Sequence, residues 1–169
     1  MSDRIATEIR IGGQVKRDLV PALLEAIERE GLEADWDVAM PRLGTEEDLS
    51  KHLSKDGVLR FCASYAVWGS LPDLETFLVE NGIAFDRHHG PYADYSGETR
   101  RYRPGVKEPI AYLADDGGNF LIEATAVKDV RHCLKSTRGK RGVRGALRKL
   151  DRLLAGTDIP DLAPFLIAD

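Results

Sequence analysis

The sequence predicts an α+β fold: a mostly antiparallel sheet, mixed if some crossovers are right-handed, with helices packed on one face and a basic amphipathic helix near the C-terminus. Three observations predict it. Segments of period two alternate with segments of helical period. Their order is strand, helix, helix, strand, helix, then hairpins, then helices. Gly, Pro, Asn and Asp cluster between them, where turns need them. A ferredoxin-like layout is the form this order suggests.

Each element has its own signal. Ile5, Thr7, Ile9 and Ile11 alternate with Ala6, Glu8 and Arg10 and are ended by Gly12-Gly13, a half-buried strand. Asp18 is placed to cap a helix running to Glu30, with Leu19, Leu23 and Ile27 on its buried stripe and Pro21 in the first turn. Residues 32–43 form a connection to which Asp35-Trp36-Asp37 adds a short strand. Thr45 before Glu46, Glu47 and Asp48 starts a short helix that carries Leu49 and Leu53 inward. Residues 58–66 are the strongest strand, with Leu59, Phe61, Ala63 and Tyr65 on one face and Val58, Arg60, Cys62 and Ser64 on the other. Ser70 caps the next helix, whose apolar side is Leu71, Leu74, Phe77 and Leu78 and which Gly82 ends. Residues 21–31 and 72–82 share a pattern in register, with Asp35 matching Asp86. A duplicated strand–helix–strand unit and the ordinary form of an amphipathic helix ending in Gly both account for it.

The second half is richer in turns. Residues 84–88 and 99–103 read as strands, and residues 110–114 and 120–124 flank the hairpin turn Asp115-Asp116-Gly117-Gly118-Asn119. Thr125 caps a helix with Val127, Val130 and Leu134 on its inner side. Residues 135–142 read as a linker, and residues 143–155 as the last helix. The tail carries Ile159, Leu162, Phe165, Leu166 and Ile167, which is too apolar to float free, so it docks on the body or on a partner subunit. The organisation is one domain, with a body at residues 1–134 and a basic linker, helix and tail at residues 135–169 docked on it.

Composition narrows the function classes. With 169 residues, 43% hydrophobic and 31% charged, the chain is that of a globular domain able to bury its own core. No stretch approaches the roughly 18 apolar residues of a membrane span, and no apolar run of signal-peptide length follows Met1-Ser2-Asp3-Arg4. The expectation is a cytoplasmic protein with no membrane partner, its Cys62 and Cys133 reduced.

Charge is unevenly placed. Residues 131–152 hold nine of the 24 Lys and Arg against one acid, Asp151, while residues 1–130 hold 15 bases against 24 acids. Val143, Ala146, Leu147, Leu150, Leu153 and Leu154 share one helical face, and Arg144, Arg148 and Arg152 form a stripe on another. Arg138-Gly139, Arg141-Gly142 and Arg144-Gly145, with Lys140 between, pair guanidinium forks with glycines that let a backbone approach closely, as a phosphate contact needs. The competing reading is a stripe that is solvated or docked on the acidic body. A second candidate surface interleaves rings and charge: Tyr92, Tyr95 and Arg100-Arg101-Tyr102-Arg103. Cross-strand packing of tyrosines explains the same residues.

The remaining motifs are weak. His88 and His89 are adjacent on a strand, so they face opposite sides and cannot share a metal; with Asp86 or Asp94 one of them is a candidate general base. Gly12-Gly13 lacks the rest of a phosphate loop, and the Asp115–Asn119 run lacks calcium-loop spacing. No catalytic residue, cofactor or metal is expected. The sequence favours a non-catalytic binding protein whose basic C-terminal segment (Arg138, Lys140, Arg141, Arg144, Arg148, Arg152) contacts nucleic acid or a nucleoprotein. The alternative is a protein–protein module, an inhibitor, adaptor or assembly partner. It would work through its acidic body or Tyr-rich hairpin, with the basic helix mediating self-association as a homo-oligomer. A second alternative is a small enzyme using His88 or His89.

Overall fold

The computed structural model describes residues 3–36, 38–39, 43–136, 139–154 and 157–169. β1 (Arg4–Gly12) leads through β2 (Gln14–Lys16) and a 3-10 turn (Arg17–Leu19) into α1 (Val20–Arg29). Next come β3 (Glu33–Asp35), β4 (Val38–Ala39), α2 (Glu46–Ser50), β5 (Leu59–Val67), α3 (Pro72–Glu80) and β6 (Ala84–His89). The chain closes with β7 (Gly97–Tyr102), β8 (Ile110–Ala114), α4 (Ala124–Ser136), α5 (Lys140–Leu154) and β9 (Leu166–Ala168).

Seven strands form one sheet in the order β4-β3-β5-β1-β6-β7-β8, with every neighbouring pair antiparallel. The fold is α+β, as expected. Its centre, β3-β5-β1-β6, is two split βαβ units, each with a strand of the other between its own two: the ferredoxin-like layout. The matching patterns at residues 21–31 and 72–82 are the crossover helices α1 and α3 of these two units, and Asp35 and Asp86 sit on the outer strands of the central four. Among the described residues the one parallel pairing is β2 with β9, in a separate two-stranded sheet.

The helices α1 and α3 pack side by side on one face and bury the alternate residues that the period predicts. Ile9, Ile11, Phe61 and Phe85 from the strands meet Leu23, Ile27, Leu74 and Leu78 from the helices. Full burial of such side chains contributes roughly 1.5–3 kcal/mol each, which makes this layer the main source of stability. Thr45 starts α2 with a capping box, its hydroxyl accepting from Asp48 N at 3.3 Å while Asp48 Oδ2 accepts from Thr45 N at 3.1 Å.

Several local expectations fail for identifiable reasons. Asp18 does not cap α1, because the chain passes first through a 3-10 turn and Leu19 takes the cap position. Ser70 does not cap α3 either. Its hydroxyl donates to Val67 O, and the orphan amides of Asp73 and Leu74 donate to Glu30 Oε1, brought from the end of α1, at 2.7 and 3.1 Å. Leu53 lies beyond the end of α2 and is exposed. The register of β1 against β5 slips between Ile5–Ala66 and Thr7–Ala63. This bulge reverses the phase of β5, puts Ala66 in the core and turns Tyr65 out to 71% exposure, against its expected place beside Phe61. Past the Asp115 turn only Phe120 bridges Ala114, so the expected second strand at residues 120–124 is one residue pair long and the chain leaves for α4.

The C-terminal part departs most from expectation. The boundary expected between residues 134 and 135 falls inside α4, and the expected linker at residues 135–142 is largely the last turn of α4 and the first of α5. The two helices pack on each other as a hairpin, and neither makes an extended contact with the sheet or with α1 and α3 among the described residues. The tail does dock on the body. Phe165 is buried, Leu166 N donates to Gly13 O, and Gly13 N donates to Ala163 O, both at 3.0 Å. Gly12 makes room for it, since a Cβ there would lie 2.3 Å from Ala163 O.

Under α3 lies a buried ion cluster. Arg87, 2% exposed, pairs through Nε with Glu75 at 2.8 Å, donates from Nη1 to Gly69 O at 2.5 Å and pairs with Glu98; Arg100 also reaches Glu75, at 3.3 Å. Breaking a buried pair leaves its partner charged and uncompensated. Arg87→Ala is therefore expected to lower unfolding free energy by about 3–5 kcal/mol in urea, against at most about 1 kcal/mol for Arg29→Ala in the exposed Arg29–Glu25 pair. Equal effects would contradict the structural role given to Arg87.

Candidate functional site

The sheet face opposite α1 and α3 carries a ladder of ion pairs. Glu8 meets Arg60 at 2.8 Å, Arg60 reaches Asp35 at 3.4 Å, Arg10 pairs with Asp56, and Asp86 holds Arg101 at 3.1 Å and Arg103 at 2.7 Å. The C-terminal segment crosses this face. Arg101 donates to Ile159 O and Pro160 O at 3.3 Å, and Arg103 Nε donates to Pro160 O at 2.9 Å.

That arrangement dissolves the aromatic–basic surface expected from Tyr92, Tyr95 and residues 100–103. Tyr102 is buried in the core with its hydroxyl on Val79 O, because β7 alternates and residue 102 falls in phase with the core. Arg100 points toward α3, while Arg101 and Arg103 hold the tail. Tyr92 and Tyr95 are exposed, but they belong to a turn beside the other end of β7, about 17 Å away along a strand of this length. They sit instead beside Trp68, whose ring meets Tyr95 edge-on at 5.2 Å.

The two histidines lie on opposite faces, as alternation requires. His88 Nδ1 is 3.0 Å from Thr99 Oγ1 and Nε2 is 3.3 Å from Asp116 O. A carbonyl only accepts, so Nε2 carries the proton and the threonine hydroxyl donates to Nδ1. Both nitrogens are occupied in fastening the Asp115 turn to the sheet. A shallow groove of about 500 Å³ runs beside them, lined by Glu8, Trp36, His88 and Tyr92 among others, yet its Glu8 is already paired with Arg60. His89 is buried, its Nδ1 on Gly90 O at 3.0 Å. For His88 this geometry leaves the general-base reading no free nitrogen; His89 is buried with its Nδ1 alone hydrogen-bonded, and no carboxylate pairs with it among the described residues.

The other weak motifs resolve structurally. The Gly13 amide serves the tail rather than a phosphate. Asp115 Oδ1 accepts from Gly117 N and Asn119 N at 2.9 and 2.8 Å, which makes it a turn residue. Among the described residues no group of three or more His, Cys, Asp or Glu could hold a metal ion. No helix of the described residues is long and apolar enough to cross a membrane. Cys62 is fully buried between β1 and β3, and burial pushes its thiol up to about 11.

The helical hairpin is different in kind. Its internal contact uses small residues: Gly142 and Ala146 are buried, and a Cβ on Gly145 would come within 3.1 Å of Cys133 Sγ. Gly142 and Gly145, read as a close approach to phosphate, serve a close approach to α4, whereas Gly139 has a positive φ of 84° and open space around it. Every described arginine before α4 is paired or hydrogen-bonded: Arg4, Arg10, Arg17, Arg29, Arg60, Arg87, Arg100, Arg101 and Arg103. Among the described residues Arg131, Lys140, Arg141, Arg144, Arg148, Lys149 and Arg152 are exposed and have no ion pair or hydrogen-bond partner for their side chains. Arg138 lies outside the described residues. The apolar face also departs from expectation. Ala146 turns to α4, but Val143, Leu147 and Leu150 of α5, with Val127 and Leu134 of α4, are exposed rather than inward. Nothing in the sequence distinguished an apolar stripe facing the body from one facing water.

Comparisons with known proteins give no match: no family model, no curated protein and no solved structure resembles the chain.

The thiols provide a check on this description. At pH 8 Cys133, half-buried, is expected to react with a thiol reagent in the folded chain, and Cys62 only after unfolding. Because the folded thiol is raised from 9.0 to about 11, its contribution to stability is present below pH 9 and lost as pH rises through 11. Equal native reactivity of the two thiols would contradict the burial of Cys62.

Proposed function

We propose that the protein is a non-catalytic binding protein whose helical hairpin contacts the phosphate backbone of nucleic acid, free or within a nucleoprotein. One observation carries the reading: the arginines of α4 and α5 stand unpaired in a chain that pairs every described arginine of its body. A surplus of acids is present, and the hairpin's bases are not neutralised by it. From Arg141 to Arg152, α5 rises about 16 Å, the length of roughly five phosphates along one strand of B-DNA. Planar guanidinium groups suit phosphate oxygens, and contacts of this type need no base-reading side chain. Binding is therefore expected to tolerate sequence and to depend steeply on salt.

Fluorescence anisotropy with duplex DNA, single-stranded DNA and RNA tests the reading at two salt concentrations. Wild type should lose affinity as salt rises. Replacing Arg141, Arg148 and Arg152 together by Ala should weaken binding at least tenfold and make the log–log salt slope shallower by about 2–3, near 0.9 for each lost phosphate contact. No binding at low salt, or a slope untouched by the triple substitution, would falsify the proposal.

A further inference from the structure

The hairpin has a second face that phosphate would leave open. On α5, Val143, Leu147, Leu150 and Leu154 recur at i, i+4, i+7 and i+11. Arg141, Arg148 and Arg152 each precede a member of that row by two residues, about 200° around the helix, so the two rows lie on opposite sides. Gly142 and Ala146, which meet α4, lie between them on one flank. On α4, Ala126, Val130 and Cys133 are the half-buried residues, while Val127 and Leu134 are exposed, one helical step round. Following both helices in opposite directions from their contact puts Val127 and Leu134 on the same side of the hairpin as Val143, Leu147 and Leu150. The result is an apolar face shared by two helices, with Arg131, Lys135 and Lys140 at its rim.

The body carries a matching surface. Tyr65, Val67 and Trp68 at the end of β5, and Tyr92 and Tyr95 in the turn after β6, are exposed at the same end of the sheet, where Trp68 meets Tyr95 and Asp3 and Asp94 outnumber Arg4. Trp68 takes a positive φ of 55° at this place, a conformation that a residue with a Cβ rarely adopts. Charge separates the two surfaces. Residues 124–154 hold ten Lys and Arg against two Asp, whereas the rest of the chain holds 14 against 26. Two hairpins laid face to face would set basic rim against basic rim. A hairpin laid on an acidic body would not, and in the structure neither helix makes an extended contact with its own body among the described residues.

We propose that the apolar face of the hairpin docks on the aromatic end of the body of a second copy of this chain, reciprocally, in a two-fold dimer. Each copy then supplies one basic-rimmed and one acidic apolar patch, as a self-complementary interface requires. Aromatic residues are what such interfaces favour. The arrangement leaves Arg141, Arg148 and Arg152 facing outward, so it does not depend on the polyanion reading.

Light scattering on the full chain at about 100 µM, above the Kd of most standard-size interfaces, tests it. Wild type should be a dimer in about 0.1 M salt and dissociate more readily in about 1 M, where the Debye length falls to about 3 Å. Leu147→Ser with Leu150→Ser, and separately Trp68→Ala, should each raise the dimer Kd at least tenfold with the far-ultraviolet circular dichroism unchanged. The triple Arg141, Arg148, Arg152 alanine variant should still dimerise, which separates a failure here from a failure of the polyanion reading. Carbodiimide coupling of an isotope-labelled with an unlabelled chain should join Lys135 or Lys140 of one copy to carboxylates before residue 124 of the other. A monomeric wild type, a dimer indifferent to the leucine pair or to Trp68, or inter-copy links confined to hairpin against hairpin would each overturn the proposal.

Discussion

The second half of the sheet rests on one buried guanidinium. Arg87 is on β6, and its partners come from α3, from β7 and from the loop between β5 and α3. Taking a charge out of water costs several kcal/mol, and the cost is offset only when the surrounding acceptors are complete. That condition fixes four segments at once. On the other face Arg10–Asp56 and Arg60–Glu8 have less leverage, because they keep more access to water and gain little by pairing, while Asp86, Arg101 and Arg103 are largely covered by the tail. One consequence runs outward from Arg87. Its hold on Gly69 O helps fix the turn that begins at Trp68, so a buried charge lies next to the turn that presents an exposed ring.

Period and punctuation made most of the architecture legible. Alternation at residues 5–11 and 58–66 marked the central strands, and the apolar stripes ending in Gly at residues 21–31 and 72–82 marked two helices, which the strand order shows to be crossovers. Features that depend on a neighbour were not legible. Periodicity says which residues share a face, but not what that face meets. The bulge in β5 is a relation between two strands, so nothing within residues 58–66 signals that Tyr65 changes sides. Glu30 reaches the amides of α3 only once the two helices lie side by side. A signal for the Arg87 cluster did exist: residues 85, 87 and 89 share a phase, and a charge in the phase of Phe85 needs a buried partner.

The same limit applies to the basic region. Its composition was evident, yet the meaning of each residue type changed with context. The glycines beside Arg141 and Arg144 shape a helix–helix contact, and the apolar residues between them divide into those that turn to α4 and those that do not. Arginine-rich stretches in residues 100–103 and 138–152 look alike in sequence. In the first, alternation in a strand sends the side chains to waiting carboxylates and carbonyls; in the second, a helix standing apart from the body offers none.

The tail gives the hairpin an unusual attachment. The strand pairing of Phe120 and Leu121 with β8 secures the chain just before α4, while the arginine grip on residues 159–161 and the pairing of β9 with β2 secure it after α5. Both attachments lie at one end of the hairpin, with Arg152 beside them and Lys140 about 18 Å of helix further out. A single cut of the chain between the two helices would therefore leave each helix on a fragment bound to the body, one through β8 and the other through β9.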